Sequence, residues 1–152
     1  MKIELITKDN NLLEKGIAYF WKQWGNDSNF DFYRDCIENS VSDDNALPKF
    51  YVLLDHNEIV ACYALLLNDI ISRQDIFPWF ACLFVDENYR NQGIAKKLMT
   101  HALSECKNKG FETVYLSTDL ENFYEKNGWS YHANGYTIFG EEIKIYSISL
   151  TS

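Results

Sequence analysis

Between residues 76 and 85 the chain reads IFPWFACLFV, an almost unbroken apolar run with acids on either side at Asp75 and Asp86. Such a run predicts a strand buried on both faces, since neither side of the pleat then meets water. From Gly93 the period changes. Ile94, Leu98, Ala102 and Cys106 recur every four residues with Ala95, Met99 and Leu103 beside them, while Lys96, Lys97, Thr100 and Glu105 fall elsewhere. That is an amphipathic helix with a wide apolar stripe, stopped by Gly110. A buried strand therefore gives way to a helix through Arg90, Asn91, Gln92, Gly93, Ile94 and Ala95.

The remaining elements follow by the same reading. Residues 2–7 alternate as a strand. Asn10 or Asn11 can cap a helix over 12–24 that stops near Gly25, and Asp27 or Ser28 can open a second over 29–41. Strands at 50–55 and 58–67 are joined by the tight-turn pair His56-Asn57, and a loop at 68–74 tucks Ile70 and Ile71 inward. A strand at 111–117 precedes a short helix at 119–126, capped by Asp119 and ended by Gly128. Strands at 129–133 and 142–150 close the chain, with Gly135 and Gly140 marking the turn between them. The expected order is β-α-α-β-β-β-α-β-α-β-β. It describes an α/β (α+β) fold whose mixed central sheet of about seven strands is flanked by about four helices. A Rossmann arrangement is excluded, because no G-x-G-x-x-G follows an early strand and the hairpins are antiparallel. The P-loop pattern is absent as well.

Composition narrows the picture. The 152 residues fit one domain, 1–152, and a hydrophobic content of 47% with 16% aromatics excludes disorder. No segment is long and apolar enough to span a bilayer and the start MKIEL lacks a signal-peptide apolar region, so a cytoplasmic location is expected and a membrane partner is not. Cys36, Cys62, Cys82 and Cys106 form no C-x-x-C and read as reduced thiols, while His56, His101 and His132 have no metal-ligand spacing. No metal is expected. A formal charge of −8 argues against nucleic acid as a partner, since phosphate binding needs clustered Lys and Arg. The acidity suits solubility, and equally a cationic acceptor. Six of the acids (Asp27, Asp31, Asp35, Glu38, Asp43, Asp44) lie within 27–44 among aromatics. They form either a solvated face or a negative lip beside a substrate.

The chemistry gathers at the strand-to-helix junction. The first turn of a helix presents amide N–H groups without helical partners and the positive end of the dipole, a natural seat for phosphate. Gly93 and Ala95 are small enough for a pyrophosphate to approach the backbone, and Arg90 adds a forked cation. The stretch R-x-x-G-x-A resembles the acetyl-CoA-binding motif of the GNAT superfamily of N-acetyltransferases. A second match follows in order: residues 114–117 resemble that family's fifth strand, and FYEKNGW at 123–129 resembles its tyrosine-containing signature. The resemblance covers roughly residues 50 to 135 and agrees with the element order above.

The resemblance implies an acyltransferase that uses acetyl-CoA as cosubstrate and passes the acetyl group directly to a primary amine of a small molecule or peptide. It implies that Leu83, Phe84 and Val85 hold the pantetheine arm as an added strand, and that main-chain N–H groups of Arg90, Asn91, Gln92, Gly93, Ile94, Ala95 and Lys96 hold the pyrophosphate. It places the thioester where the fourth and fifth strands part. Tyr124 is then the general acid for the departing thiolate, and a backbone N–H near Val85 serves the oxyanion. Two departures stand out. Residues 78–85 hold no carboxylate to act as base, which leaves Asp75 or a water chain. Ser117 occupies a position where the family often has Asn, with Asn122 a substitute. Ser117, Asp119 and His132 lack a nucleophile-elbow sequence and are not read as a triad. The missing base also keeps open a non-catalytic CoA-binding module of the same fold. The chain is expected to be a monomer or a homodimer.

Overall fold

In a computed structural model that describes residues 1–42 and 44–151, seven strands form one mixed sheet in the order β1-β2-β3-β4-β5-β7-β6. They are β1 (Lys2–Leu5), β2 (Lys49–Asp55), β3 (Glu58–Leu66), β4 (Trp79–Val85), β5 (Thr113–Thr118), β6 (Ser130–Tyr136) and β7 (Glu142–Ser149). The α-helices are α1 (Leu13–Trp24), α2 (Phe30–Glu38) and α3 (Ile94–Asn108), and single 3-10 turns lie at Glu87–Tyr89 and Glu125–Asn127. The expected α/β fold and the expected succession of seven strands along the chain are present. The chain divides into two compact units, Met1–Ala64 with Cys82–Leu98, and Leu65–Ala81 with Met99–Ser152.

In the first unit, β1 runs antiparallel to β2 with Lys2 opposite Leu54 and Leu5 opposite Tyr51. His56 and Asn57 both take positive φ, 51° and 70°, the conformation a two-residue hairpin turn requires. Asn10 fixes the entry to α1: its Oδ1 accepts the Leu12 N–H at 3.3 Å and its Nδ2 donates to the Leu5 carbonyl at 2.6 Å. Ile17 and Phe20 on α1 are fully buried, and the Phe20 ring stands edge-on to Phe50 at 5.2 Å. Helix α2 stops at Glu38, short of the expected Val41. The Ser40 hydroxyl donates to the Ile37 carbonyl at 2.6 Å, and the buried Lys49 ammonium donates to the Ser40 carbonyl at 3.1 Å. These side chains satisfy groups that another helical turn would have used. Of the acids expected along this stretch, Asp43 lies outside the described residues.

In the second unit, β5 is parallel to β4, Tyr115 facing Trp79, and antiparallel to β7 from Thr113↔Ser149 to Thr118↔Lys144. A cluster of Ile71, Trp79 and Ile145 is covered by Leu66, Ile76, Tyr115 and Ile143. Several expectations change here. Ile71 is buried at 3% exposure and bridges to Thr137, whereas Ile70 is 55% exposed. Gly135 is within β6 rather than the turn, and a Cβ there would lie 2.9 Å from the Ile145 side chain. The turn carries Gly140 at φ 83°. The helix expected at 119–126 is absent except for the 3-10 turn. Leu120 is 54% exposed and its N–H bonds the Thr118 hydroxyl at 3.0 Å, so the residues before the buried Tyr124 offer no apolar stripe to hold a helix.

Strand β4 and helix α3 run through both units. Trp79, Phe80 and Ala81 are buried, but Cys82 to Val85 are only half-buried, so double-faced burial holds for the first half alone. The change falls at Cys82, whose φ of 55° breaks the pleat. Helix α3 buries Ile94, Leu98, Met99, Ala102 and Cys106 as its period demands. It ends in a Schellman turn: Gly110 at φ 89°, with the Phe111 N–H on the Cys106 carbonyl at 3.1 Å.

Candidate active site

The first unit supplies a braced junction. The half-buried end of β4 carries Leu83, Phe84 and Val85. The Phe84 ring is held edge-on by Tyr19 at 6.2 Å and Trp24 at 6.3 Å, and the Arg90 guanidinium sits over it at 5.5 Å. Arg90 Nε also donates to the Val85 carbonyl at 2.9 Å, which brings the expected pantetheine strand and the expected phosphate loop together. The Tyr19 hydroxyl donates to Asp86 at 2.6 Å; burial and then that carboxylate push its titration upward, so it remains a donor. The Tyr89 hydroxyl donates to Asp55 at 2.7 Å.

Beyond these clamps the chain turns through Asn91 at φ 64° and Gly93 at φ 77°. A Cβ on Gly93 would meet nothing within 4 Å, so the space before the helix is open. The first helical bond of α3 runs from the Lys97 N–H to the Gly93 carbonyl at 3.1 Å. The N–H groups of Ile94, Ala95 and Lys96 therefore precede the hydrogen-bonded ladder and can receive an anion. Ile94 is buried and anchors the turn, while Asn91, Gln92 and Lys96 are exposed.

The second unit carries Tyr124, Ser117 and Asn122. Tyr124 is buried against Phe123 at 4.8 Å and Trp129 at 6.2 Å, and burial pushes its phenol upward, keeping it a neutral O–H at physiological pH. The buried Trp129 Nε1 finds no partner among the described residues. Ser117 shares one face of β5 with Tyr115, opposite the buried Val114, Leu116 and Thr118. Asn122 is exposed at φ 64°.

Asp75, the expected base, sits in an ion pair. It is exposed and gripped by Arg73, whose Nε and Nη2 donate at 2.9 and 2.8 Å, and this fork holds its carboxyl down at about 2. A different carboxylate has the opposite character. Asp69 is half-buried in the loop between β3 and β4 and accepts a hydrogen bond from the Ser117 hydroxyl. Burial raises it to about 6 against the lowering effect of Ser117. The loop is braced: the Asn68 side chain accepts the Ile71 N–H at 3.2 Å, and Ser72 and Tyr136 exchange bonds of 2.9 and 2.8 Å. Sequence reasoning passed over Asp69. The available signal was a lone acid in LLLNDII, with apolar residues on both sides.

Among the described residues no group of three His, Cys, Asp or Glu side chains could hold a metal, and no helix is long and apolar enough to cross a membrane. The model of the Acetyltransferase (GNAT) family matches residues 13–129. N-alpha-acetyltransferase 30 of Schizosaccharomyces pombe is 30% identical over 111 residues, covering 60% of this chain and 69% of that protein. An aminoglycoside 6'-N-acetyltransferase complexed with coenzyme A superposes with a TM-score of 0.73 at 16% identity, over 100% of this chain and 98% of that one. A GNAT family acetyltransferase from Elizabethkingia anophelis with acetyl-CoA bound gives 0.66 at 16% identity, over 97% of each chain.

Proposed function

The chain belongs to the acetyltransferase (GNAT) family and is an acyltransferase, and from that premise we propose that it moves the acetyl group of acetyl-CoA to a primary amine of a small molecule or peptide. Transfer is direct, with both substrates bound at once, and residues 1–152 serve it as a single domain. Support for the donor comes from the two solved relatives that hold coenzyme A or acetyl-CoA. Support for a peptide acceptor comes from the fission-yeast relative, named for acetylating α-amines.

The observation that carries the reading is the open space at Gly93 in front of the first turn of α3. Main-chain N–H groups from Asn91 to Lys96 hold the pyrophosphate, the expected Arg90 N–H being given instead to the Glu87 carbonyl at 3.3 Å, and the half-buried 83–85 backbone pairs with the pantetheine arm. When bound, the donor supplies an activated thioester. The Tyr124 O–H gives a proton to the sulfur as the thiolate leaves. Ser117 and Asn122 make further contacts to the cosubstrate. Titration calorimetry with acetyl-CoA, paired with thiol release over a panel of amines, tests this. Binding followed by amine-dependent thiol release is expected. Binding with no release on any amine would leave only a CoA-binding module.

A further inference from the structure

Several tyrosine hydroxyls of this chain are aimed by hydrogen bonds. Those of Tyr19, Tyr89, Tyr131, Tyr136 and Tyr146 each donate to a side-chain oxygen at 2.6–3.3 Å. Tyr124 differs. Its titration is raised by burial alone, and its hydroxyl meets no acceptor among the described residues. A free O–H suits a proton donor awaiting its substrate, but such a group must be aimed through its ring instead.

Two aromatic rings bracket the phenol. Phe123 stands edge-on at 4.8 Å and Trp129 at 6.2 Å, with interplanar angles of 83° and 74°. Phe123 is the adjacent residue, so Trp129 is the bracket that ties the ring to a strand: its indole lies 6.3 Å from the buried Phe80 of β4. The Trp129 main-chain N–H also donates to the Tyr124 carbonyl at 3.1 Å, closing a turn through Gly128 at φ 92°. Phe80, Tyr124 and Trp129 all belong to the second unit. A turn of this Schellman kind commonly carries an apolar contact between its ends, which a leucine or phenylalanine would make equally well. The indole instead buries an Nε1–H that finds no partner among the described residues, and an unpaired buried donor costs stability. What the indole adds is width, since one side chain meets both Tyr124 and Phe80.

We infer that Trp129 is a positioning residue of the acetyl transfer: its indole, wedged between Phe80 and Tyr124, aims the Tyr124 hydroxyl. The inference rests on the proposed reading of Tyr124 as the proton donor. In that step the C–S electron pair leaves with the sulfur, the Tyr124 O–H bond breaks, and the sulfur takes the proton. Water later returns a proton to the phenolate. Trp129 acts on this step only through the orientation of the phenol, which it keeps from being searched anew at each turnover.

The test is a double-mutant cycle read by stopped-flow thiol release, with acetyl-CoA affinity measured by calorimetry on each variant. Trp129→Leu should lose on the order of 10-fold in kcat, with acetyl-CoA affinity unchanged. On a Tyr124→Phe background the same substitution should change kcat by less than about 2-fold, because the hydroxyl it aims is gone. Trp129→Phe keeps an aromatic edge against the phenol and should recover most of the rate. Should Trp129→Leu fail to fold, Trp129→Met fills more of the space and runs through the same cycle with the same expectation. An equal loss on both backgrounds, or an unchanged kcat in the single variant, would overturn the inference and leave the indole a packing residue. A Tyr124→Phe enzyme with wild-type kcat would instead bring down the proton-donor reading, before the indole is touched.

Discussion

Two loops of this chain are set up by opposite means. The junction at 90–96 acts through its backbone: a glycine at φ 77°, open space before it, and helix N–H groups that any sequence with small residues could present. The loop at 68–75 acts through side chains whose state is set by surroundings. It holds two aspartates, one pulled down to about 2 by Arg73 and one pushed up to about 6 by burial. The same residue type, six positions apart on the chain, is held ionised at one place and pushed toward protonation at the other. Main-chain anion sites are therefore local features, whereas acid–base sites belong to the folded environment.

The largest expected effect breaks the first loop alone. Gly93→Glu puts a carboxylate where the pyrophosphate is proposed to sit, and like-charge juxtaposition costs several kcal/mol, on the order of 10³-fold in acetyl-CoA affinity by calorimetry. A glutamate there also suffers the positive φ. Gly93→Ala shares that strain, about 1 kcal/mol of stability, without the charge, so it separates folding from binding. Tyr124→Phe comes next. Removing the phenol should lower kcat by about 10²-fold with acetyl-CoA affinity preserved, as stopped-flow thiol release would show.

These contrasts also explain what the sequence revealed. The strand-to-helix junction was readable because apolar periodicity locates α3, and Gly93 with Ala95 marks where a backbone can be approached. The His56-Asn57 turn and the Gly110 stop were readable for the same local reason. Asp69 was not, since its protonation depends on burial and on Ser117 from a distant strand. Asp75 stands out in the sequence because it precedes a strand with no carboxylate of its own, while the two-pronged grip of Arg73 on it shows only in the folded loop. The half-exposed end of β4 was hidden because nothing in FACLFV announces a positive φ at Cys82. The missing helix at 119–126 was over-read from a capping acid and a terminal glycine without an apolar stripe to support it.

Stability against pH gives a smaller effect with a definite sign. The folded-state titration of Asp69 lies near 6, above the ordinary carboxylate range near 3.9, so the native state binds more protons between these values. Its contribution to stability is thus favourable at low pH and lost as pH rises toward 6. Asp69→Asn removes the buried charge and should raise stability by on the order of 1–3 kcal/mol above pH ~6.5, with the gain vanishing near pH ~4. Denaturant titrations at both pH values would show it.

The smallest effect probes how stiff the first loop must be. The Tyr19 hydroxyl bonds Asp86 at 2.6 Å, at the point where β4 leaves for the junction, while its ring rests on Phe84. Tyr19→Phe deletes the bond and keeps the ring contact. Asp86 is half-buried, so water replaces part of the loss and about 1 kcal/mol of stability should go. If the junction works as a preorganised backbone cradle, acetyl-CoA affinity should fall by a few-fold in step, because binding must then re-order what Tyr19 had held in place. Unchanged affinity beside the same stability loss would mean that Arg90, through the Val85 carbonyl and the Phe84 ring, is enough to hold the cradle. The double variant with Arg90→Ala would then lose more affinity than the two single changes combined, since each clamp would be covering for the other.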